Sequence, residues 1–210
     1  MNLANLITVL RFPLLIVVVL LLYCGGTVGP LIDVPLILAL ILMDSLDGFV
    51  ARRRREQTLI GGALDIAADR AVEIVLWVAY AQLRLISVIV PLTVIIRGAL
   101  TDSIRNVALQ HGQSAHSMMR ARWSHWLVAS GTMRAGYGIA KAVAFTLLAL
   151  ALGLQTRGHA AWHSVWLVAS VVSWLALALC IVRGLPVLIE VRGLFQSAEF
   201  QVAAPSIRHE

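Results

Sequence analysis

Apolar stretches recur along the whole chain and alternate with short polar connections. Most of them meet, or nearly meet, the roughly 20-residue length that an α-helix needs to cross a bilayer. Turn residues such as Gly25-Gly26 and Gly29-Pro30 fall between stretches, where helices are expected to end. The pattern predicts an all-α membrane domain over residues 1–195 and a disordered tail over 196–210. The six predicted transmembrane helices are 5–23, 34–53, 59–82, 86–110, 133–154 and 161–182.

Composition supports a membrane protein, because 60% of the residues are hydrophobic and only 13% are charged, whereas soluble domains carry about 25% charged residues. The net charge of +6 comes mainly from arginines on alternate connections, such as Arg52–Arg55 after the second helix. By the positive-inside rule these connections and both termini face the cytoplasm. The basic charge is therefore attributed to the bilayer, and no nucleic-acid partner is expected.

Two segments have simpler interpretations than their composition first suggests. The apolar run at 5–23 lacks a preceding basic region and a following small-residue cleavage site, so we interpret it as a retained helix, not a signal peptide. The segment 111–132 contains histidines and tryptophans without the spacing of a zinc site. We interpret it as an amphipathic segment at the headgroup level, anchored by its tryptophans.

Four aspartates, Asp44, Asp47, Asp65 and Asp69, lie in or beside two apolar stretches. Ionisable groups at membrane depth are costly and therefore point to a functional site. Spacings of three and four residues put each pair on one helix face, and a short turn makes the two helices antiparallel, so that both faces can meet.

Such anions need arginine partners, protonation or cations. Arg52 and Arg70 are the nearest arginines in sequence, and carboxylate oxygens without sulfur or imidazole suit Mg²⁺, Mn²⁺ or Ca²⁺. We predict two divalent ions bridged by carboxylates; the alternative is a set of ion pairs that fixes helix register. Gly48, Ala51 and Gly61 on the same faces either admit a ligand or allow tight helix packing.

The spacing D-x2-D-G-x2-A-R-x8-G-x3-D-x3-D, which spans residues 44–69, resembles the signature of the CDP-alcohol phosphotransferases at all eight fixed positions. The resemblance implies a six-helix membrane enzyme, usually a homodimer, that displaces CMP from CDP-diacylglycerol. It also implies two Mg²⁺ or Mn²⁺ ions, with Asp69 as general base and as one of the metal ligands. The implied metal ligands are Asp44, Asp47, Asp65 and Asp69; the implied cytidine and pyrophosphate contacts are Gly48, Ala51, Arg52 and Gly61.

Asn5, Thr8 and Arg11 share one face of the first helix at three-residue spacing. They resemble the N-x-x-T-x-x-R opening of bacterial phosphatidylglycerolphosphate synthases, where these positions lie next to the nucleotide site. We therefore assign them to the CDP donor. The resemblance also implies a bacterial inner membrane, with the active site facing the cytoplasm.

The acceptor is predicted from cations farther along the chain. Arg97 and Arg105 share one face of the fourth helix, and Arg134 and Lys141 share one face of the fifth. Cations near the carboxylates would suit a phosphate-bearing alcohol, glycerol 3-phosphate first of all, although arginines at helix ends also reach the interface for no catalytic reason.

Other acceptors and other functions stay open. The chain departs from glycerophosphate-using members where Gly98 replaces a usual glutamate. Inositol phosphate, or phosphatidylglycerol as in a cardiolipin synthase, are the alternative acceptors. A membrane transporter and a divalent-cation-binding membrane protein are the alternatives from other classes.

Overall fold

The computed structural model describes residues 3–54, 58–110 and 131–202. Within these ranges every regular element is an α-helix and no strand occurs, which confirms the predicted all-α class. Each predicted segment corresponds to one helix, and the third has both of its predicted ends. The helices are α1 (Leu3–Cys24), α2 (Gly29–Arg54), α3 (Leu59–Gln82), α4 (Ile89–Gln110), α5 (Gly131–Thr156) and α6 (Trp162–Val202).

Two helices extend beyond their predicted ends by five residues or more. The predicted break at Gly29-Pro30 is wrong, because α2 begins at Gly29 and the proline lies in the first turn, where its missing N–H is not needed. The last helix, α6, continues to Val202, and the tail predicted to be disordered is helical up to that residue. A helix satisfies its own backbone hydrogen bonds and need not end with the apolar run. Residues 203–210 lie outside the described residues, as do residues 111–130 of the predicted amphipathic segment 111–132; the last two residues of that segment are the start of α5.

Among the described residues, four helices are long and apolar enough to cross a membrane, over Asn5–Cys24, Gly29–Gly48, Ala135–Thr156 and Trp162–Leu185. Large apolar side chains are exposed on their outer surfaces, as expected where a protein contacts lipid. These features indicate an integral membrane protein. Spans at α3 and α4, and the cytoplasmic location of both termini, stay predictions.

The chain divides into two compact units. The first takes its residues from Met1–Leu92 and Gly138–Ala176, and the second from Thr93–Tyr137 and Leu177–Glu210. Both stretches that carry the predicted metal ligands and the predicted CDP-donor residues belong to the first unit. Lys141 also belongs to the first unit, whereas Arg97 belongs to the second.

Aromatic side chains hold α3 in the core of the first unit. The rings of Trp77 and Phe145 lie 4.6 Å apart between centroids, and the Tyr80 hydroxyl donates to the Phe145 carbonyl oxygen at 2.9 Å. At the end of α3, Trp166 Nε1 of α6 donates to the Leu85 carbonyl oxygen at 2.8 Å. On the other side, α1 packs against both α2 and α3. These contacts fix the acidic face of α3 between α1 and α5.

Candidate active site

Three carboxylates from two helices converge on one guanidinium group. Arg11 Nη1 of α1 lies 2.8 Å from Asp44 Oδ1, 3.9 Å from Asp47 Oδ2 and 3.5 Å from Asp65 Oδ1. The Arg11 side chain is only 2% exposed, while those of Asp44 and Asp65 are 40% and 46% exposed. We call Arg11, Asp44, Asp47 and Asp65 the arginine cluster. The acidic faces of α2 and α3 thus meet, with the cation between them supplied by α1.

Asp47 is the buried carboxylate of the arginine cluster. Its Oδ2 accepts a hydrogen bond of 2.9 Å from Thr8 Oγ1, one helical turn before Arg11 on the same face of α1. Its Oδ1 is also buried, and among the described residues it has no hydrogen-bond partner. A buried carboxylate oxygen without a donor is costly, and is the kind of atom that a cation or a ligand would satisfy.

The third polar residue of that α1 face contacts the start of α3. A Cβ at Gly61 would lie 2.5 Å from Asn5 Oδ1 and 2.9 Å from Thr58 Oγ1. Thr58 caps α3, its hydroxyl oxygen accepting the Gly61 N–H at 3.0 Å. The missing side chain at Gly61 therefore leaves room for Asn5.

The remaining donor residues predicted from the motif are on α2. Gly48 is partly buried there. Ala51 and Arg52 belong to the last turns of the helix, and their side chains lie outside the described part of the chain. The predicted contacts of these three residues with the nucleotide stay predictions.

Asp69 is paired with a different cation. Lys141 Nζ of α5 lies 3.4 Å from Asp69 Oδ1 and 3.3 Å from Glu73 Oε2, and Arg70 Nη1 lies 3.8 Å from the same glutamate oxygen. We call Lys141, Asp69, Glu73 and Arg70 the lysine cluster. The residue predicted to bind the acceptor thus lies beside the residue predicted to act as general base.

Two of these partners were not anticipated from the sequence. Glu73 continues the four-residue spacing of Asp65 and Asp69 along α3, so helical periodicity already placed it on the acidic face. Arg11 was assigned to the nucleotide, and the arginines considered as ion-pair partners were Arg52, Arg70 and a few more distant ones. No local pattern relates Arg11 to aspartates more than thirty residues away.

The other predicted acceptor residues belong to the second unit. Arg97 packs so closely on α6 that a Cβ at Gly184 would lie 2.9 Å from Arg97 Cγ, and the buried Arg97 Nε has no hydrogen-bond partner among the described residues. The backbones at Arg105 and Arg134 are helical, but the side chains of both are outside the described part. In the same unit the Arg183 guanidinium lies 5.7 Å from the centroid of the Tyr137 ring, a cation–π contact.

The donor atoms of the arginine cluster suit a hard divalent cation. In the described ranges no three His, Cys, Asp or Glu side chains stand as a preformed metal site. Three carboxylates against one guanidinium nevertheless give the arginine cluster a formal charge of −2, and Asp47 Oδ1 is buried without a partner. Carboxylate oxygens are the preferred ligands of Mg²⁺ and Mn²⁺. The residues fit such an ion by chemistry and charge.

Comparison with known families identifies most of the chain. Residues 1–182 match the family model described as CDP-alcohol phosphatidyltransferase. The matched region contains α1 to α5 and all members of both clusters. A comparison with curated proteins gives no match.

Proposed function

The chain belongs to the CDP-alcohol phosphatidyltransferase family, and on that premise we propose that it transfers a phosphatidyl group from CDP-diacylglycerol to glycerol 3-phosphate, releasing CMP. Membership makes it an integral-membrane transferase of substituted phosphate groups. The closer likeness to phosphatidylglycerolphosphate synthases stays a prediction. One observation carries the choice of acceptor: the Lys141 ammonium lies 3.4 Å from a carboxylate oxygen of Asp69.

Asp69 is the general base in this proposal. Its side chain is 45% exposed, so an acceptor hydroxyl can reach it. Asp69 takes the hydroxyl proton while the acceptor oxygen attacks the phosphorus that carries the diacylglycerol. A new P–O bond forms to the acceptor, the bond from that phosphorus to the CMP oxygen breaks, and CMP leaves with the electron pair.

The arginine cluster holds the donor. Arg11 supplies positive charge beside the pyrophosphate, and Asn5, Thr8, Gly48, Ala51, Arg52 and Gly61 complete the predicted donor contacts. Members of the family generally depend on a divalent metal. Asp44, Asp47 and Asp65 would hold it, with Asp69 as a further ligand. When bound, Mg²⁺ or Mn²⁺ neutralises pyrophosphate charge and makes CMP a better leaving group.

The charge beside Asp69 favours an acceptor that carries an anionic group. An ammonium binds phosphate as a point charge, and here it would hold the phosphate end of the acceptor while a hydroxyl faces the base. Glycerol 3-phosphate, inositol phosphate and phosphatidylglycerol all meet this requirement, whereas free glycerol and free inositol do not. Arg97, Arg105 and Arg134 are the further predicted contacts of the acceptor.

The arrangement in the membrane is also proposed, not observed. Six spans with both termini in the cytoplasm agree with the arginines on alternate connections and with the lengths of α3 and α4, 24 and 22 residues. This arrangement puts both clusters near the cytoplasmic face of a bacterial inner membrane. A homodimer follows from the resemblance alone.

Release of CMP tests the proposal directly. The purified protein is incubated in detergent with CDP-diacylglycerol, Mg²⁺ and one alcohol at a time: glycerol 3-phosphate, inositol phosphate, phosphatidylglycerol, glycerol and inositol. We expect CMP release with the anionic alcohols, fastest with glycerol 3-phosphate, and none with the neutral ones. Release that is fastest with a neutral alcohol would contradict the assigned acceptor, and no release with any alcohol would favour a transporter or a cation-binding protein.

A further inference from the structure

Glu73 is a buried carboxylate that lies outside the family motif. It follows Asp69 by one turn on the same face of α3, yet its side chain is 2% exposed while that of Asp69 is 45% exposed. Glu73 is therefore too deep to meet substrate. A buried carboxylate is strongly destabilising unless it is paired, and Glu73 is paired with both Lys141 and Arg70.

The pairing of Glu73 fixes the position of Lys141. The lysine ammonium, 13% exposed at its side chain, is 3.3 Å from Glu73 Oε2 on one side and 3.4 Å from Asp69 Oδ1 on the other. Lysine has four flexible carbons between backbone and charge, and its ammonium carries three donors. Glu73 thus contacts the ammonium of this flexible side chain from the buried side, whereas Asp69 contacts it from the accessible side.

We propose that Glu73 is a positioning residue: it holds the Lys141 ammonium at the point beside Asp69 where the anionic group of the acceptor binds. This inference rests on the proposed function and extends it to a residue that does not touch substrate. Without the Glu73 carboxylate the ammonium keeps its contact with Asp69 and loses the buried anion that holds it in place. The acceptor then loses a cation that was held in position for its anionic group, while the residues proposed to bind the donor are unchanged.

The test separates the two substrates. In Glu73→Gln the KM for glycerol 3-phosphate is expected to rise about tenfold, the size of one lost charge-assisted contact. The KM for CDP-diacylglycerol is expected to stay within about twofold, since the arginine cluster is untouched. Lys141→Met should raise the acceptor KM as well. The acceptor KM of the double variant should be no higher than that of Lys141→Met alone, because both substitutions remove the same correctly positioned ammonium.

Asp33→Asn is the matched control. Asp33 is a fully buried carboxylate in the same unit, and the substitution makes the same carboxyl-to-amide change without touching either cluster. It should leave both KM values unchanged. If Glu73→Gln fails to fold, as judged by thermal unfolding in detergent, Glu73→Asp replaces it, because it keeps the negative charge on a shorter side chain. Glu73→Asp should raise only the acceptor KM, by a smaller factor than the one expected for Glu73→Gln.

The possible failures are distinct. Equal rises in both KM values, a fall in kcat alone, or multiplied effects in the double variant would overturn the positioning role while CMP release by the wild type upholds the proposed function. If the wild type releases no CMP with any alcohol, the proposed function fails and the inference fails with it.

Discussion

The arginine cluster and the lysine cluster use the same face of α3 in different ways. The arginine cluster has three carboxylates and one guanidinium, a formal charge of −2. The lysine cluster has two carboxylates and two cations, Arg70 and Lys141, and is formally neutral. One of its cations, Arg70, lies on α3 itself and the other, Lys141, on α5, whereas the cation of the arginine cluster comes from α1.

On the proposed function, this difference gives the two clusters separate tasks. An excess of negative charge around a buried oxygen without a hydrogen-bond partner among the described residues would attract a divalent cation, and with it the pyrophosphate of the donor. A neutral cluster with an accessible carboxylate beside a fixed ammonium instead suits proton removal from an anionic acceptor. Substitutions in the two clusters should therefore affect different substrates, and effects of both on the same substrate would contradict separate tasks.

The largest expected effect is that of Asp69→Asn. Asparagine has nearly the same shape but cannot take a proton, so kcat should fall by roughly 10²–10⁴-fold, the usual contribution of a general base. Donor binding should survive, because the arginine cluster is intact. Initial rates of CMP release and equilibrium binding of labelled CDP-diacylglycerol measure the two effects.

Asp47→Asn is the counterpart in the arginine cluster. It also changes carboxylate to amide, but at the residue that Thr8 and Arg11 hold, and it should weaken donor binding in the presence of Mg²⁺. If Asp69→Asn lost donor binding as well, at an unchanged unfolding temperature, the division of tasks between the clusters would be wrong.

Removal of the central cation should have the next largest effect. Arg11→Met leaves three carboxylates together without their guanidinium. Breaking a buried pair costs about 3–5 kcal/mol, and the cost here should lie below that range because two of the carboxylates are about half exposed. Thermal unfolding should show a clear loss of stability in a metal chelator and a partial recovery in saturating Mg²⁺, since the ion replaces the lost charge.

Two further variants serve as controls for the effect of Mg²⁺ on the stability of Arg11→Met. Lys141→Met removes one of the two cations of the lysine cluster, and Mg²⁺ should not restore the stability of this variant to the same degree. Arg157→Gln changes an exposed arginine whose Nε donates to the Thr27 carbonyl oxygen, and its small effect should not depend on metal. Equal losses for Arg11→Met with and without Mg²⁺ would show that the arginine cluster does not attract the ion.

Helical periodicity explains why the helices and the shared acidic faces could be predicted from the sequence. Apolar stretches predicted six helices and the acidic spacing predicted shared faces, because both depend on neighbours within one or two turns. The motif predicted the family, which the match over 1–182 confirms. The end of α6 was missed by twenty residues, because an apolar run reports membrane depth and not the length of a helix.

Ion-pair partners depend on contacts between distant helices. Lys141 and Asp69 are 72 positions apart, and nothing local relates them. Arg11 shows the same limit: its depth in an apolar helix indicated a role, but only the packing of α1 against α2 and α3 shows which carboxylates it meets. Glu73 is different, since its spacing from Asp69 was visible in the sequence.

A smaller effect is expected where α1 approaches α3. In Gly61→Ala the new methyl meets Asn5 Oδ1 at 2.5 Å and Thr58 Oγ1 at 2.9 Å. Overpacking of this kind costs about 1–3 kcal/mol. Part of that cost should appear as a several-fold rise in the KM for CDP-diacylglycerol, with the acceptor KM unchanged.

Gly62→Ala is the control for helix propensity. A Cβ at Gly62 meets nothing within 4 Å, so this variant gains the same preference of alanine for a helix without the clash. Adding Asn5→Ala to Gly61→Ala removes the nearest contact and should recover part of the donor KM, if the clash is the cause. Equal effects of Gly61→Ala and Gly62→Ala would show that the approach of α1 does not matter to the donor.

The smallest expected effect has the opposite sign and concerns the other acidic residue buried on α2. Asp33 is fully buried, and neither of its carboxylate oxygens has a hydrogen-bond partner among the described residues, whereas Asp47 has Thr8 and Arg11. A neutral amide is less costly to bury than an unpaired carboxylate, so Asp33→Asn should raise the free energy of unfolding by about 1 kcal/mol. For a chain of this size that is a rise of roughly 2–4 °C in unfolding temperature, with CMP release unchanged. Asp47→Asn, measured beside it in chelator, should lower the unfolding temperature, because it removes the negative charge that faces Arg11. A fall for Asp33→Asn as well would mean that Asp33 has a stabilising partner such as bound water or a cation, and α2 would then hold two buried acids with partners instead of one.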